Sequence, residues 1–438
     1  MKRIFISTGE VSGDLQGALL IEALKRQAAT TGLELEIVAL GGRKMAKAGA
    51  KLLSNTTSIG SIGLLESLPF VLPTLAIQRR AKQYLRQNPP DVVVLIDYMG
   101  PNINLGNFIH HQLPQVPIVY YIAPQSWVWS AAYLGSQDTA TIVKITDQLL
   151  AIFPEEARFF EKKGASVTWV GHPLVDRMQS SPTREEARAA LGIEAEQIAI
   201  ALLPASRRQE LKYMMPIVFE AARRLQLQLE GRGDAEMRRW GDGEMGRWGD
   251  RGDVSHSQFP IPNSQTTNNK QQTTNNKQPI FWIPLSLEAY RDPIEAAIKR
   301  YGLRAKVIAG KNKEILAAAD LAIAKSGTVN LELALLDVPQ VVFYRVSFFT
   351  FLIGRILKVT IPFMSPPNLV VMRSIVPELL QDKATPENLV KEALELLFDE
   401  KRRQQTLADY QEMRQLLGEV GVCDRAAKEI FRLAQECG

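Results

Sequence analysis

Residues 3–18 read RIFISTGEVSGDLQGA. A short apolar run meets a glycine-rich turn, and Gly17, Leu20, Ile21 and Leu24 then fall at the spacing of one helical face. Strand, turn and helix in that order form the repeating unit of a parallel sheet. The glycines follow G-x3-G-x3-G, which is neither the dinucleotide fingerprint nor the P-loop spacing. A dinucleotide domain also needs an acidic residue closing its second strand, and here that strand ends VALGG at 38–42. Dinucleotide binding is disfavoured. Glu10, Ser12 and Asp14 set polar groups at the helix start, where Ser12 or Asp14 caps the helix or the group faces a substrate.

The same rhythm continues down the chain. Strands are predicted at 3–7, 34–40, 92–96, 118–122, 148–153 and 167–170. It restarts at 198–203 and runs through 281–283, 305–309, 321–324 and 341–344. Continuous β-branched runs such as VVVLI suit a parallel sheet covered on both faces. Two α/β domains therefore meet near residues 175–195, where SSPTREE reads as a linker followed by a helix cap. After about residue 366 the strands stop, and helices are expected near 386–399, 401–416 and 424–436.

Composition narrows the classes. The chain has 438 residues, 46% of them hydrophobic, enough for two domains with a large apolar core. Its net charge of +5 favours an anionic partner. Cys423 and Cys437 match no metal or disulfide framework, so a reducing compartment is expected. The first apolar run is too short for a signal peptide, and no stretch is long enough to cross a bilayer. Residues 231–279 break the rhythm: AEMRRWGD at 235–242 is followed by GEMGRWGD at 243–250, and QTTNNKQ at 265–271 recurs at 272–278. Such polar repeats cannot bury enough apolar surface to fold, so the segment reads as a disordered surface insert.

Several strand ends carry chemistry. DVVVLIDYMGPNIN at 91–104 places Asp97 just past an apolar strand, as a general base or as a cap or turn residue. YYIAPQSWVWS at 120–130 ends in Trp127 and Trp129, either core or an aromatic wall. His172 in VGHPL sits at the domain junction, structural there or contacting a phosphate. In the second half, ALLPASRRQE at 201–210 presents Arg207 and Arg208 after a small-residue turn. AIAKSGTVNLELAL at 322–335 opens a helix at Ser326–Thr328, whose amides and dipole suit a diphosphate. Glu332, one turn on, either accepts ribose hydroxyls or belongs to an exposed helix face.

Together GEVSGDLQGA, SIGLLESL (61–68), DYMGPNIN, APQSWVW, VGHPL, LLPASRRQE, SGTVNLE, PPNLV (366–370) and VPELLQ (376–381) resemble, in order, the motifs of the lipid-A-disaccharide synthase family. That resemblance implies the GT-B architecture: α/β, two Rossmann-like domains facing a cleft, with a C-terminal helical segment packing back across. It implies an acceptor and membrane-facing domain at 1–180, a UDP-sugar domain at 195–365 containing the 231–279 insert, and the crossing segment at 366–438. Ala205 stands where the family usually has Gly, and positions 99 and 101 depart from its D-Y-P-G-F-N pattern.

The activity implied is an inverting hexosyl transfer. UDP-2,3-diacylglucosamine and 2,3-diacylglucosamine 1-phosphate condense to the β-1,6 lipid A disaccharide 1-phosphate and UDP. Asp97 is then the base. Ser206, Arg207, Ser326, Gly327 and Thr328 hold the diphosphate end of the donor, Glu332 the ribose, and Asn368 lines the donor site. Glu10, Ser12, Asp14 and Asn102 stand on the acceptor side. No cofactor and no metal are expected, and no nucleic acid. The expected location is cytoplasmic, peripheral on the inner membrane, with a homodimer through the C-terminal segment as a further expectation. LLESLPFVLPTLAIQRRAKQYLR (64–86) and FFTFLIGRILK (348–358) read as interfacial amphipathic elements or as core helices. The alternatives are another GT-B transferase of the UDP-GlcNAc type, a UDP-sugar epimerase, or a catalytically silent relative. Because no D-x-D carboxylate pair occurs in the chain, turnover is expected to be unchanged by EDTA. Loss of turnover in EDTA with recovery on adding Mg²⁺ would contradict this.

Overall fold

The computed structural model describes residues 1–9, 11–57, 71–124, 136–204, 208–231, 278–345 and 363–436. The first domain runs β1 (Lys2–Ser7), α1 (Val11–Thr31), β2 (Leu35–Gly41), α2 (Arg43–Ala48), β3 (Lys51–Asn55) and α3 (Val71–Gln87). It continues with β4 (Val92–Ile96), α4 (Met99–Gln112), β5 (Ile118–Tyr121), α5 (Ser136–Ile145), β6 (Gln148–Ala151), α6 (Pro154–Lys162) and β7 (Val167–Trp169). These seven strands form one parallel sheet in the order β3-β2-β1-β4-β5-β6-β7. Every residue of VVVLI is 0% exposed, which is why that strand shows no polar alternation. Each such side chain contributes on the order of 1.5–3 kcal/mol by leaving water.

Two short helices, α7 (Leu174–Met178) and α8 (Arg184–Leu191), follow. Thr183 caps α8 as its sequence suggested, accepting from the amide of Glu186 at 3.2 Å, while Glu186 accepts from the amide of Thr183 at 2.9 Å. Ala187 and Leu191 of α8 pack into a core of the second domain, whose layers therefore begin before β8. That domain contains β8 (Ala199–Leu203), α9 (Arg208–Leu229), β9 (Ile280–Leu285), α10 (Arg291–Tyr301), β10 (Ala305–Ala309) and α11 (Asn312–Ala318). It ends with β11 (Leu321–Lys325), α12 (Val329–Leu335), β12 (Gln340–Tyr344), α13 (Pro366–Val371) and β13 (Glu378–Leu380), giving a parallel sheet β10-β9-β8-β11-β12-β13.

Two strands escape the sequence reading. KLLSN of β3 lies at an edge, only partly buried, and lacks the β-branched run of its neighbours. ELL of β13 is three residues long and carries no period, so the expectation that strands stop near 366 is corrected. The last helices are α14 (Pro386–Phe398), α15 (Glu400–Leu417) and α16 (Val422–Glu436). Of these, α14 packs within the second domain through Leu389, Val390, Ala393 and Leu396. The crossing is made by α15 and α16, whose Tyr410, Met413, Leu417, Ile430 and Phe431 join the core of the first sheet.

Both ends of α16 are tied to the first part of the chain. The Asp176 carboxylate accepts from the amides of Gly421 (2.7 Å), Val422 (3.1 Å) and Cys423 (2.8 Å), and Lys2 Nζ donates to the carbonyl of Ala434 at 2.7 Å. An anion at the N-terminus and a cation at the C-terminus match the helix dipole. Gly171, at φ 90°, lets this junction close, since a Cβ there would lie 2.7 Å from the carbonyl oxygen of Leu417. Replacing Asp176 by Ala should cost roughly 1–3 kcal/mol in urea unfolding. Hydrogen exchange should quicken along 421–436 while β4 stays protected; unchanged exchange in α16 would mean that its apolar face alone holds it.

Candidate active site at the strand ends

In the first sheet the strand order reverses between β1 and β4, and ligands of open α/β sheets bind beyond the carboxyl ends at such a point. Asp97 leaves β4 here, half-buried. Its backbone is left-handed at φ 47°, as is Tyr98 at 53°, and Ile122 at the end of neighbouring β5 stands at 61°. Each such non-glycine residue costs about 1–3 kcal/mol, most for a β-branched one, and persists only where its surroundings enforce it.

The enforcing contacts are visible. The amide of Asp97 donates to the carbonyl of Ile122 at 3.0 Å, and its own carbonyl accepts from the Tyr120 hydroxyl (3.0 Å) and Asn102 Nδ2 (2.8 Å). Asn102 is fully buried; it also donates to the carbonyl of Ile96 and accepts from Ser7 Oγ at 2.7 Å, joining the ends of β1 and β4. The Tyr98 ring lies over Gly9, where a Cβ would come within 2.1 Å of it. Asn102, expected on the acceptor side, thus acts by fixing the backbone of Asp97.

Asp14 acts on the backbone in a similar way. Its carboxylate is buried and accepts from the amides of Gly42 (2.8 Å), Lys44 (3.1 Å) and Met45 (3.1 Å), so it caps α2. Ser12 is exposed at the first turn of α1. Thr8 Oγ1 and Gln16 Oε1, beneath that turn, are buried without a partner among the described residues.

Two buried groups near Asp97 carry more than the sequence suggested. Glu156, 1% exposed, was not singled out from FPEEA, although Pro at the first helical position and Glu at the third mark a cap. It accepts from the amides of Ile152 (2.8 Å), Phe153 (3.2 Å) and Ala123 (3.1 Å), joining the ends of β5 and β6. Burial pushes its pKa up to about 7, against the pull of those amides, and the charge of Asp97 adds to the rise. His172 is buried, and desolvation lowers its pKa to about 4, so it is neutral. Its Nδ1 accepts from the amide of Leu174 at 3.1 Å, which leaves the ring proton on Nε2. The contact is structural and needs no phosphate.

In the second domain, β11 delivers Ser326, Gly327 and Thr328 to the start of α12. Ser326 Oγ donates to the carbonyl of Met364 at 2.6 Å, and the Gly327 amide donates to Asn330 Oδ1 at 2.7 Å. Thr328 is exposed. Glu332 pairs with Arg177 of α7 at 2.9 Å. Asn368 is fully buried and committed to the chain: Nδ2 donates to the Val376 carbonyl and Glu378 Oε1, while Oδ1 accepts from the amides of Ile375 and Val376. It shapes the 365–378 turn below Ser326. Glu10, Ser206, Arg207, Trp127, Trp129 and the 348–358 segment lie outside the described residues. Among the described residues no cluster of His, Cys, Asp or Glu could hold a metal ion, and no helix is long and apolar enough to cross a membrane.

The same two-sheet arrangement occurs in UDP-sugar enzymes. The S. aureus MnaA–UDP co-structure aligns with a TM-score of 0.63 at 14% identity over 98% of this chain and 96% of that one. The UDP-GlcNAc 2-epimerase of Neisseria meningitidis, bound to UDP-GlcNAc, aligns at 0.57 and 11% identity over 100% of both. Such identities show the fold alone, and that fold is the GT-B class. Sequence comparison goes further. A family model described as lipid-A-disaccharide synthetase matches residues 4–232 and 255–432. Proteins named lipid-A-disaccharide synthase are similar at 55% identity in Gloeothece citriformis (98% of this chain, 99% of that one) and at 49% in Synechocystis sp. (99% and 98%). The chain belongs to the lipid-A-disaccharide synthetase family. It is accordingly a glycosyltransferase, and the epimerase reading is not favoured. The match resumes at residue 255, inside the stretch that composition set aside.

Because the pKa of Glu156 is raised from 4.5 to about 7, its contribution to stability is full below the unfolded value and is lost as pH rises through 7. Wild type should lose about 3 kcal/mol from this group between pH 4.5 and 7.5. Glu156→Gln sets an amide nitrogen against a backbone N–H and is less stable by an offset that pH does not change. His172, neutral down to about pH 4, contributes an opposite slope to both proteins, so in urea unfolding across that range wild type should fall relative to Glu156→Gln by about 3 kcal/mol; parallel profiles would remove the titration from Glu156.

Proposed function

We propose that this glycosyltransferase moves a 2,3-diacylglucosamine unit from UDP to the 6-hydroxyl of 2,3-diacylglucosamine 1-phosphate, with Asp97 as general base. The observation that carries the reading is the enforced left-handed backbone at Asp97, Tyr98 and Ile122 on the switch point of the first sheet. Asn102 and Tyr120 hold the backbone carbonyl of Asp97, and so fix the residue whose carboxylate takes this role. In the proposed step the acceptor hydroxyl gives its proton to Asp97 while its oxygen forms a bond to the anomeric carbon. The bond from that carbon to the diphosphate breaks on the opposite face, its electron pair leaves with UDP, and the configuration inverts.

Charge growing on the leaving diphosphate is met by Arg207, Ser206 and the Ser326–Thr328 turn. Glu332 accepts the ribose hydroxyls. Ser12 and Glu10 face the acceptor. The acyl chains of both substrates call for a lipid surface, and α3 supports one. Val71, Leu72 and Leu75 are 46%, 77% and 45% exposed at its start, with Arg79 and Arg80 exposed one turn on. Apolar side chains entering the acyl boundary beside arginines at headgroup level fit peripheral binding to an anionic membrane.

Asp97→Ala should lower disaccharide formation by at least about a hundredfold, with UDP affinity retained. Mass spectrometry of the disaccharide and titration calorimetry with UDP provide the two readings. Near-normal turnover in that variant would remove Asp97 as the base.

A further inference from the structure

Arg177 Nη1 donates to Glu332 Oε1 at 2.9 Å, and the two side chains are only 26% and 14% exposed. The pair spans the junction: α7 follows the last strand of the first sheet, whereas α12 hangs from β11 of the second. The residue before Arg177 is anchored too, since the Asp176 carboxylate holds the first amides of α16. The guanidinium is therefore delivered from a short helix fixed at its neighbour, not from a free surface turn.

Among the described residues the Glu332 carboxylate has no other partner. A carboxylate offers about four acceptor positions on two oxygens, so one N–H leaves room for two further donors. An unrestrained glutamate would lose rotamer freedom on binding a ligand, and one already held by a rigid fork loses less.

We propose that Arg177 is a positioning residue for the nucleotide: reaching across the domain junction, it fixes the Glu332 carboxylate in the orientation that receives the ribose hydroxyls of the UDP donor. The proposal rests on the ribose role given above to Glu332. It makes nucleotide affinity depend on how the two domains sit against each other, because the carboxylate belongs to one and its anchor to the other.

Calorimetric titration of the full chain with UDP and with 2′-deoxy-UDP separates the two ideas. Wild type should prefer UDP by about tenfold, the size of one hydrogen bond to a charged acceptor. Glu332→Ala should abolish the preference. Arg177→Ala should reduce it to within about twofold by weakening UDP, with 2′-deoxy-UDP little changed. The KM for the donor sugar should then rise more than kcat falls. Arg177→Gln serves in the same way if the alanine variant does not fold. A preference missing from wild type, or surviving in Glu332→Ala, overturns the ribose reading and the proposal with it. A preference lost in Glu332→Ala but intact in the Arg177 variants overturns the proposal alone. So would tighter UDP binding in those variants, which would make Arg177 a competitor for the carboxylate.

Discussion

Parallel strands that end inside a protein leave amides and carbonyls where water cannot pair them, and each one left unpaired costs about 1–3 kcal/mol. This fold meets that constraint with buried polar side chains at the ends of its strands. Asn102 joins β1 to β4, Glu156 joins β5 to β6, Asp14 takes the amides that open α2, and Asn368 with Glu378 closes the turn before β13. Asn102 and Glu156 fix the loops around Asp97. The strained backbone at Asp97, Tyr98 and Ile122 can exist only because its groups are bonded from several sides. The half-buried Asp97 thus inherits its backbone geometry from buried positions around it.

The second dependency lies at the junction. One apolar core includes the first sheet, Leu331 and Ala334 of α12, Met413 and Leu417 of α15 and the inner face of α16. Through it the C-terminal helices become part of the first domain's core. The five residues of α7 sit where these pieces meet. Asp176 reaches the C-terminal helix, Arg177 the second domain, and His172 just ahead packs its neutral ring beside Phe153, centroids 5.4 Å apart. A charged imidazole would be poorly tolerated there, which is the physical content of its lowered pKa.

Much of the fold was legible in the sequence, because a strand buried on both faces cannot hide its composition. VVVLI and the runs that match it mark the interior strands. What failed were strands whose surroundings decide for them, the edge strand β3 and the three-residue β13. The site was legible as a set of loops but not as a set of roles. Motif spacing brings Asp97 and Asn102 to one turn, yet only the coordinates separate the half-buried carboxylate from the amide that fixes its backbone. Asp14 and Asn368 likewise show their backbone partners only in the structure. A polar residue near a ligand crevice and a polar residue closing a strand end look alike in sequence. Arg177 gave no signal, since its partner lies 155 positions away.

The likeness to UDP-sugar epimerases sharpens where the chemistry of such a fold resides. A two-sheet frame that closes on a nucleotide is shared across enzymes of different reactions, so the frame cannot select the reaction. What varies at little cost to the frame is the set of residues at strand ends, where no sheet ladder constrains side-chain identity. Here those ends separate the labour. The second sheet offers the Glu332 carboxylate, paired with Arg177, and the hydroxyl-bearing Ser326–Thr328 turn. The first sheet offers a carboxylate on a strained, over-determined backbone. Backbone strain of that size persists only because the neighbouring strand ends over-determine it, so a frame that does not select the reaction still dictates where its polar groups stand.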